Sequence, residues 1–409
     1  MTAPATGPLL SRLPREPWLV AVPDGRATVI AVEPVEVVEL NGDAALGALD
    51  GLKSGWWAGF LSYELGQAVE PPRPGARIGR PPPQTPDLLL ARFESRLVLE
   101  PGGPPRLEGS GPSRLLLQAA LDAGPDAREP LPAPLDTWRS SLGREQWIGA
   151  VERVLEHLAA GDCYQVNLTR RLTAEGCPDP VDLYRVLLDG NPAPHCALVR
   201  AGERSVVSAS PESFLRAGRG RIVTRPIKGT ASDPEVLSSS AKDRAENVMI
   251  VDLARNDLGR VCEYGTVNVD ALCELEPHPG LFHLVSTVSG SLRTDASIGD
   301  IIRATFPAAS ITGAPKPRVL RIIEHLEPVP RGVYCGAIGW IDAGARSMDL
   351  NVAIRTFEMS GGLTSFGVGG GIVADSDPGA EWEETELKAR RLLSLASGQP
   401  VPGETPVRR

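Results

Sequence analysis

Residues 144–169 read REQWIGAVERVLEHLAAGDCYQVNLT. Trp147, Val151, Val154, Leu155 and Leu158 recur at helical spacing, which predicts an amphipathic helix from Arg144 to Ala160. Gly161 supplies a residue able to end it. The period then changes: Tyr164, Val166 and Leu168 alternate with Gln165, Asn167 and Thr169, as in a strand with one apolar and one polar face. The polar face is expected to line a pocket. Later segments keep alternating helical and strand patterns without an internal repeat, so residues 142–397 read as one α+β domain.

Upstream of this stretch the texture differs. Trp18 to Val22 and Ala27 to Val32 are short β-branched and aromatic runs broken by Pro and Gly, which are strand signals. Pro71 to Pro86, Pro101 to Pro105 and Gly124 to Pro134 are proline-rich and read as loops or a linker, since proline cannot donate to a ladder. Residues 1–141 are therefore expected to form a β-rich N-terminal region, and residues 398–409 a flexible polar tail.

A chain of 409 residues with 42% hydrophobic content can bury a substantial core. Its net charge of -9 argues against a nucleic-acid backbone or an anionic membrane as the main partner. The six cysteines are scattered without a Cys-x-x-Cys pair, so reduced thiols in a cytoplasmic protein are expected, not zinc ligands or disulfides. No charged and apolar leader opens the chain and no apolar run is long enough for a membrane span.

Lysine is scarce, with 5 against 37 arginines. One of them, Lys228, sits in Arg225-Pro226-Ile227-Lys228-Gly229-Thr230. Pro226 restricts the backbone and Gly229 permits close approach, so the amine is expected on a rigid turn. An amine can lose its proton where a guanidinium cannot, which makes Lys228 a candidate nucleophile.

Two acidic helices are expected. One runs from Lys242 through Asp257 and places Asp243 and Glu246 on one face; the other, opened by Asp377 and Pro378, aligns Glu381, Glu384 and Lys388. Carboxylates without a Cys/His cluster suit a hard cation such as Mg²⁺. Gly367-Val368-Gly369-Gly370-Gly371 is expected as a loop after a strand, presenting N–H groups to an anion. It is not a dinucleotide fingerprint, because Ile372 stands at the third glycine position.

Several segments together resemble the chorismate-utilising family that includes anthranilate synthase component I. They are Arg225 to Thr230, Gly161 to Leu168, Ser210-Pro211-Glu212, Asp252 to Asp257, His283 to Ser286 and Ser310 to Lys316, with Gly59 to Gly66 similar to the family's N-terminal region. The resemblance implies antiparallel β-sheets packed as a sandwich with helices outside. It implies Mg²⁺ held by Glu246 and Glu384, with Asp243 and Glu381 one shell further out. It also implies that Arg355 and Tyr334 grip the side-chain carboxylate of chorismate, that Gly229, Thr230, Gly369, Gly370, Gly371 and Lys388 contact substrate, that Glu212 is the general acid and that His283 belongs to the site.

Within such a family Gln165 replaces the water-activating lysine of isochorismate-forming members, which disfavours hydroxylation. Lys at position 228 is the residue of members forming 4-amino-4-deoxychorismate, where alanine marks those forming anthranilate. The expected activity is therefore amination of chorismate through a covalent Lys228 adduct. Ammonia is expected from a separate glutamine amidotransferase, since no glutaminase segment is recognisable. Anthranilate or 2-amino-2-deoxyisochorismate synthesis, Schiff-base chemistry at Lys228 and a catalytically silent chorismate-binding subunit remain as alternatives.

Overall fold

The computed structural model describes residues 6–13, 18–71, 80–123, 135, 137–231, 233–278 and 281–399. Parts of two expected proline-rich loops (72–79 and 124–134) and most of the expected tail (400–409) lie outside the described residues.

Among the described residues, two large antiparallel sheets, of 11 and 10 strands, carry the fold. The helix predicted from the opening stretch spans Arg144–Ala159, and Gly161 follows it at φ +75°, the left-handed conformation that glycine tolerates. The strand after it spans Gln165–Glu175, one residue later than the alternation implies, and Tyr164 is 73% exposed. Its N–H is taken by the Ala314 carbonyl outside the regular ladder, so the ring faces away from the core.

Strands from the N-terminal region enter both sheets. Trp18–Asp24 pairs with His195–Ala201, joining Leu19 to Arg200, while Trp56–Leu61 pairs with Ala337–Asp342. Hydrogen bonding therefore runs continuously between residues before and after position 141. The two sheets meet through Val20, Val22 and Ala31 on one side and Trp56, Phe60 and Ile338 on the other. Trp56 and Trp340 stack there with ring centroids 6.3 Å apart.

Helices cover the outer faces. Gly42–Gly51, Arg144–Ala159, Ala241–Gly259, Ile298–Thr305 and Lys316–Leu326 share one core, built on Trp147, Val151, Leu258, Ile302 and Ile323. Pro180–Gly190 and Pro378–Ala396 share another, with Tyr184, Leu187 and Leu392 against Phe357 and Phe366. Among the described residues no helix is long and apolar enough to cross a membrane, and the six cysteines are free.

Candidate active site

Lys228 lies on the strand Ile227–Ala231, which pairs with Leu281–Ser291. The expected turn is instead a bulged strand. Lys228 opposes Leu284 and Thr230 opposes His283, so Gly229 is the extra residue, at φ +72°. A bulge bends its strand and re-aims the neighbouring side chain, and a glycine takes this φ without strain. A Cβ at 229 would approach Asp243 Cγ to 3.0 Å, so the bulge also brings the strand against the first acidic helix. The Thr230 side chain lies outside what is described.

The amine enters a cleft of about 410 Å³ lined by Lys228, Gly229, Glu212, His283, Tyr334, Arg355, Gly369, Gly371 and Lys388. Nine of the residues singled out from sequence thus share one cavity. Asn167, Ser310 and Gly367 line it too. A larger cavity, about 790 Å³, is bordered by Arg26, His195, Arg216 and Asp349 and contains none of the predicted site residues.

Glu212 is 5% exposed. Its turn is fixed by Ser210, whose hydroxyl donates to the Val352 carbonyl at 2.6 Å and accepts from the Glu212 N–H at 3.2 Å. Phe214, Leu215, Ile250 and Leu258 border a small cavity beside it. Burial pushes the carboxyl up to about 7, against hydrogen bonds from Ser310 and the Ile227 N–H and the charge of Lys228. A carboxyl held there can give up a proton near neutrality.

Lys228 Nζ donates to the Ser310 carbonyl at 3.3 Å. Protein atoms surround the amine although the cleft leaves it in contact with solvent. Burial lowers its pKa and Lys388 adds to this, while Glu246, Glu212 and Glu384 oppose it. The free-amine form is thereby favoured relative to an exposed lysine.

His283 is 3% exposed on the strand facing the bulge. Asn247, on the helix Ala241–Gly259, ties that strand down: its amide donates to the Leu284 carbonyl at 3.1 Å and its oxygen accepts from Ser286.

Arg355 sits between the strands Ser347–Val352 and Thr356–Ser360, at φ +52°. For a non-glycine residue this backbone is strained, and such strain collects at functional sites. Burial lowers the guanidinium's pKa, and no carboxylate among the described residues pairs with it. A desolvated guanidinium without a protein anion is suited to a ligand carboxylate. Tyr334 borders the same cleft; burial pushes its phenol well above the usual value.

The glycine run is not a loop. Gly367 to Gly371 lie inside the strand Leu363–Ile372, which pairs with Gln165–Glu175. Their neighbours explain the glycines: any side chain at 367 would collide with the Tyr334 ring, and one at 371 with the Gln165 amide. A Cβ at 370 would lie 3.2 Å from Glu381 Oε2 and 3.7 Å from Glu384 Oε1. The run lets a strand pass beneath crowded site residues.

Of the polar face predicted at 165–169, Asn167 reaches the cleft, whereas Gln165 and Thr169 are buried behind it.

Both acidic helices form, with Asp377 capping the second by accepting from the Ala380 N–H at 2.8 Å. Burial raises the pKa of Glu246, against the charges of Lys228 and Lys242, while Asp243 and Glu384 add to the rise. Glu381 is raised by burial and by Glu384, against a hydrogen bond from Ser376 at 2.6 Å. Lys388 pairs with Glu384 at 2.6 Å and donates to the Gly369 carbonyl at 3.2 Å. The two helices thus interact through their charges, with Glu384 raising the pKa of Glu246. Among the described residues, no three His, Cys, Asp or Glu side chains are gathered closely enough to hold a metal by themselves.

The sequence profile of chorismate binding enzymes matches residues 22–394. The chain belongs to the chorismate binding enzyme family. Within this family it is 41% identical to aminodeoxychorismate synthase component 1 of Klebsiella aerogenes over 350 residues, covering 82% of this chain and 76% of that protein. It is 42% identical to anthranilate synthase component 1 of Pseudomonas aeruginosa over 267 residues, 63% of this chain and 54% of that one. Among solved structures, anthranilate synthase component I from Streptococcus pneumoniae superimposes with a TM-score of 0.78 at 27% identity, covering 90% of this chain and 92% of that chain. This family fold is the anticipated α+β arrangement of antiparallel sheets with peripheral helices. Overall identity does not divide the two reactions, so the choice falls to individual residues.

Ser310 and Gly367 are among the cleft residues that lie in motifs quoted from the sequence without an assigned role, as are Pro211, Ile227, Ile311 and Val368. Ser310 stood inside the Ser310 to Lys316 motif and Gly367 at the head of the glycine run.

Proposed function

We propose that this chain is an aminodeoxychorismate synthase, converting chorismate and ammonia to 4-amino-4-deoxychorismate. The observation that carries this reading is Lys228, aimed by the Gly229 bulge into the cleft that also receives Glu212.

Arg355 and Tyr334 bind the side-chain carboxylate of chorismate, and Lys388 and the glycine strand also contact substrate. The Lys228 amine attacks ring C2, both ring double bonds shift, and the C4 hydroxyl leaves as water with the proton of Glu212. Ammonia then adds at C4, the double bonds shift back, and the lysine amine is released from C2. The atoms balance as chorismate plus ammonia giving aminodeoxychorismate plus water. His283 belongs to this site without an assigned proton.

The oxygen-only donors Glu246 and Glu384, with Asp243 and Glu381 further out, suit Mg²⁺. This ion takes one or two protein carboxylates and completes its shell with water and substrate, so it needs no preassembled three-ligand cluster. When bound it neutralises the ring carboxylate and the mutually repelling glutamates. Ammonia comes in the cell from a separate glutamine amidotransferase.

The test is incubation with chorismate, Mg²⁺ and ammonium, with products identified by mass spectrometry. The expected product is 4-amino-4-deoxychorismate, with a chorismate-derived adduct on the Lys228 peptide when ammonium is withheld. Anthranilate as the main product, detected by its fluorescence, overturns the reading.

A further inference from the structure

Arg331 lies behind the cleft wall with its side chain 1% exposed. A buried guanidinium requires partners for its donors. Nε donates to Glu327 Oε2 at 2.9 Å and Nη2 to Glu327 Oε1 at 2.7 Å, a two-pronged ion pair. Nη1 donates to the Ile311 carbonyl at 2.9 Å and Nη2 also to the Asn167 carbonyl at 2.7 Å. Its flat face lies over the Tyr63 ring, 4.3 Å from the centroid.

The surroundings are equally tied. Glu327 Oε1 accepts from the Thr169 N–H at 2.8 Å, and the buried Glu64 accepts from the Arg331 and Gly332 N–H groups at 2.8 and 3.0 Å. Tyr63 and Glu64 belong to the N-terminal segment, so residues from the two ends of the sequence meet here.

Stability alone gives weak reason to keep such a pair, since well-packed apolar side chains often serve as well. The choice of acceptors gives a stronger one. Asn167 and Ile311 both line the cleft, and Tyr334 follows Arg331 on the same segment. Ile311 adjoins Ser310, whose carbonyl accepts from Lys228 and whose hydroxyl bonds Glu212.

We propose that Arg331 is a positioning residue for amination: by holding the Ile311 and Asn167 carbonyls it fixes the Ser310 turn, and through it the Lys228 amine and the Glu212 carboxyl. This rests on the reading of Lys228 as nucleophile and Glu212 as acid. Lysine cannot substitute, because the four contacts need a planar fork and not a point charge.

The experiment uses the full chain as Arg331→Lys and Arg331→Met. Trinitrobenzenesulfonate modification of Lys228, followed across pH by peptide mass spectrometry, reports the amine without chorismate; steady-state amination gives kcat and KM. In both variants Lys228 is expected to titrate closer to an exposed lysine. A misplaced reacting group lowers kcat by roughly 10- to 100-fold, and KM for chorismate moves far less. A folded variant with the wild-type Lys228 curve and the wild-type kcat overturns the proposal. If circular dichroism shows both variants unfolded, Glu327→Gln, which keeps Arg331 but breaks the two-pronged pair, is read by the same two criteria. Failure of the nucleophile reading would appear in the wild type as the absence of a Lys228 adduct when ammonium is withheld; failure of the positioning would appear in the difference between wild type and variant.

Discussion

Lys228 and Glu212 meet at a single serine: the Ser310 carbonyl accepts from the Lys228 amine at 3.3 Å, and the Ser310 hydroxyl bonds the Glu212 carboxyl. An amine with a lowered pKa and a carboxyl with a raised one are thereby held side by side, the pairing expected of a nucleophile and an acid. Lys228→Ala is expected to abolish the covalent adduct and to slow or redirect amination while chorismate still binds, as measured by calorimetry and product mass spectrometry. Full-rate aminodeoxychorismate formation by this variant would exclude the lysine as nucleophile.

Glu212 should set the alkaline side of the pH profile. Its folded pKa, about 7, stands above the ordinary 4.5, so the proton it donates is lost as pH rises through neutrality. kcat is expected to fall on that side, and Glu212→Gln to lose roughly 10²- to 10⁴-fold in rate. The same shift affects stability. Between pH 4.5 and about 7 the folded chain retains a proton that the unfolded chain has released. Stability contributed by the neutral carboxyl is therefore full below the unfolded pKa and falls through this window, by on the order of 3 kcal/mol. Urea denaturation of the Glu212→Gln chain should show a weaker pH dependence; an identical slope would contradict the raised pKa.

Arg355 offers a fork to the cleft and has no carboxylate partner among the described residues. If Arg355 binds the substrate carboxylate as proposed, replacing it by Met is expected to remove charge-assisted hydrogen bonds of about 1.5–3 kcal/mol. Chorismate binding should weaken by roughly 10- to 100-fold, and Lys should rescue it only in part. An unchanged chorismate affinity would place the substrate carboxylate elsewhere.

Burial raises the Glu246 pKa, and the like charges of Asp243 and Glu384 act in the same direction against the lowering charges of Lys228 and Lys242. Glu246→Gln is expected to weaken Mg²⁺ binding by at least about 10-fold and to abolish Mg²⁺-dependent turnover. Calorimetry without chorismate separates metal binding from catalysis. Equal metal affinity and equal turnover in the variant would remove Glu246 from the metal site.

Much of the lining of this candidate cleft was legible in the sequence, and the gaps have physical reasons. The helix Arg144–Ala159 and the Asp377-capped helix follow from local periodicity and capping, which need no distant partner. Strand partners do not: nothing near Leu19 tells that it will lie opposite Arg200, because that choice is made by long-range packing. The turn expected at Lys228 became a bulge because Leu281–Ser291 runs alongside it. The glycine run reads as a loop by propensity, since glycine weakens a strand. Its strand conformation is explained by Tyr334 and Gln165, side chains remote in sequence that occupy the space a Cβ would need. Arg331 gave no local signal, as one arginine among 37.

The contact between Gly367 and Tyr334 gives a test of that explanation. A Cβ at 367 would overlap the Tyr334 ring, so Gly367→Ala must displace the ring or the strand. Overpacking of this kind costs about 1–3 kcal/mol, which urea denaturation can resolve. In a Tyr334→Ala background the space is free, and the same Gly367→Ala change should cost little or even stabilise the strand, since alanine loses less backbone entropy than glycine. The two substitutions are therefore expected to couple, with the double variant more stable than the sum of the single effects implies. Additive losses would mean that the glycine is required for another reason, and that Tyr334 does not set the backbone beneath it.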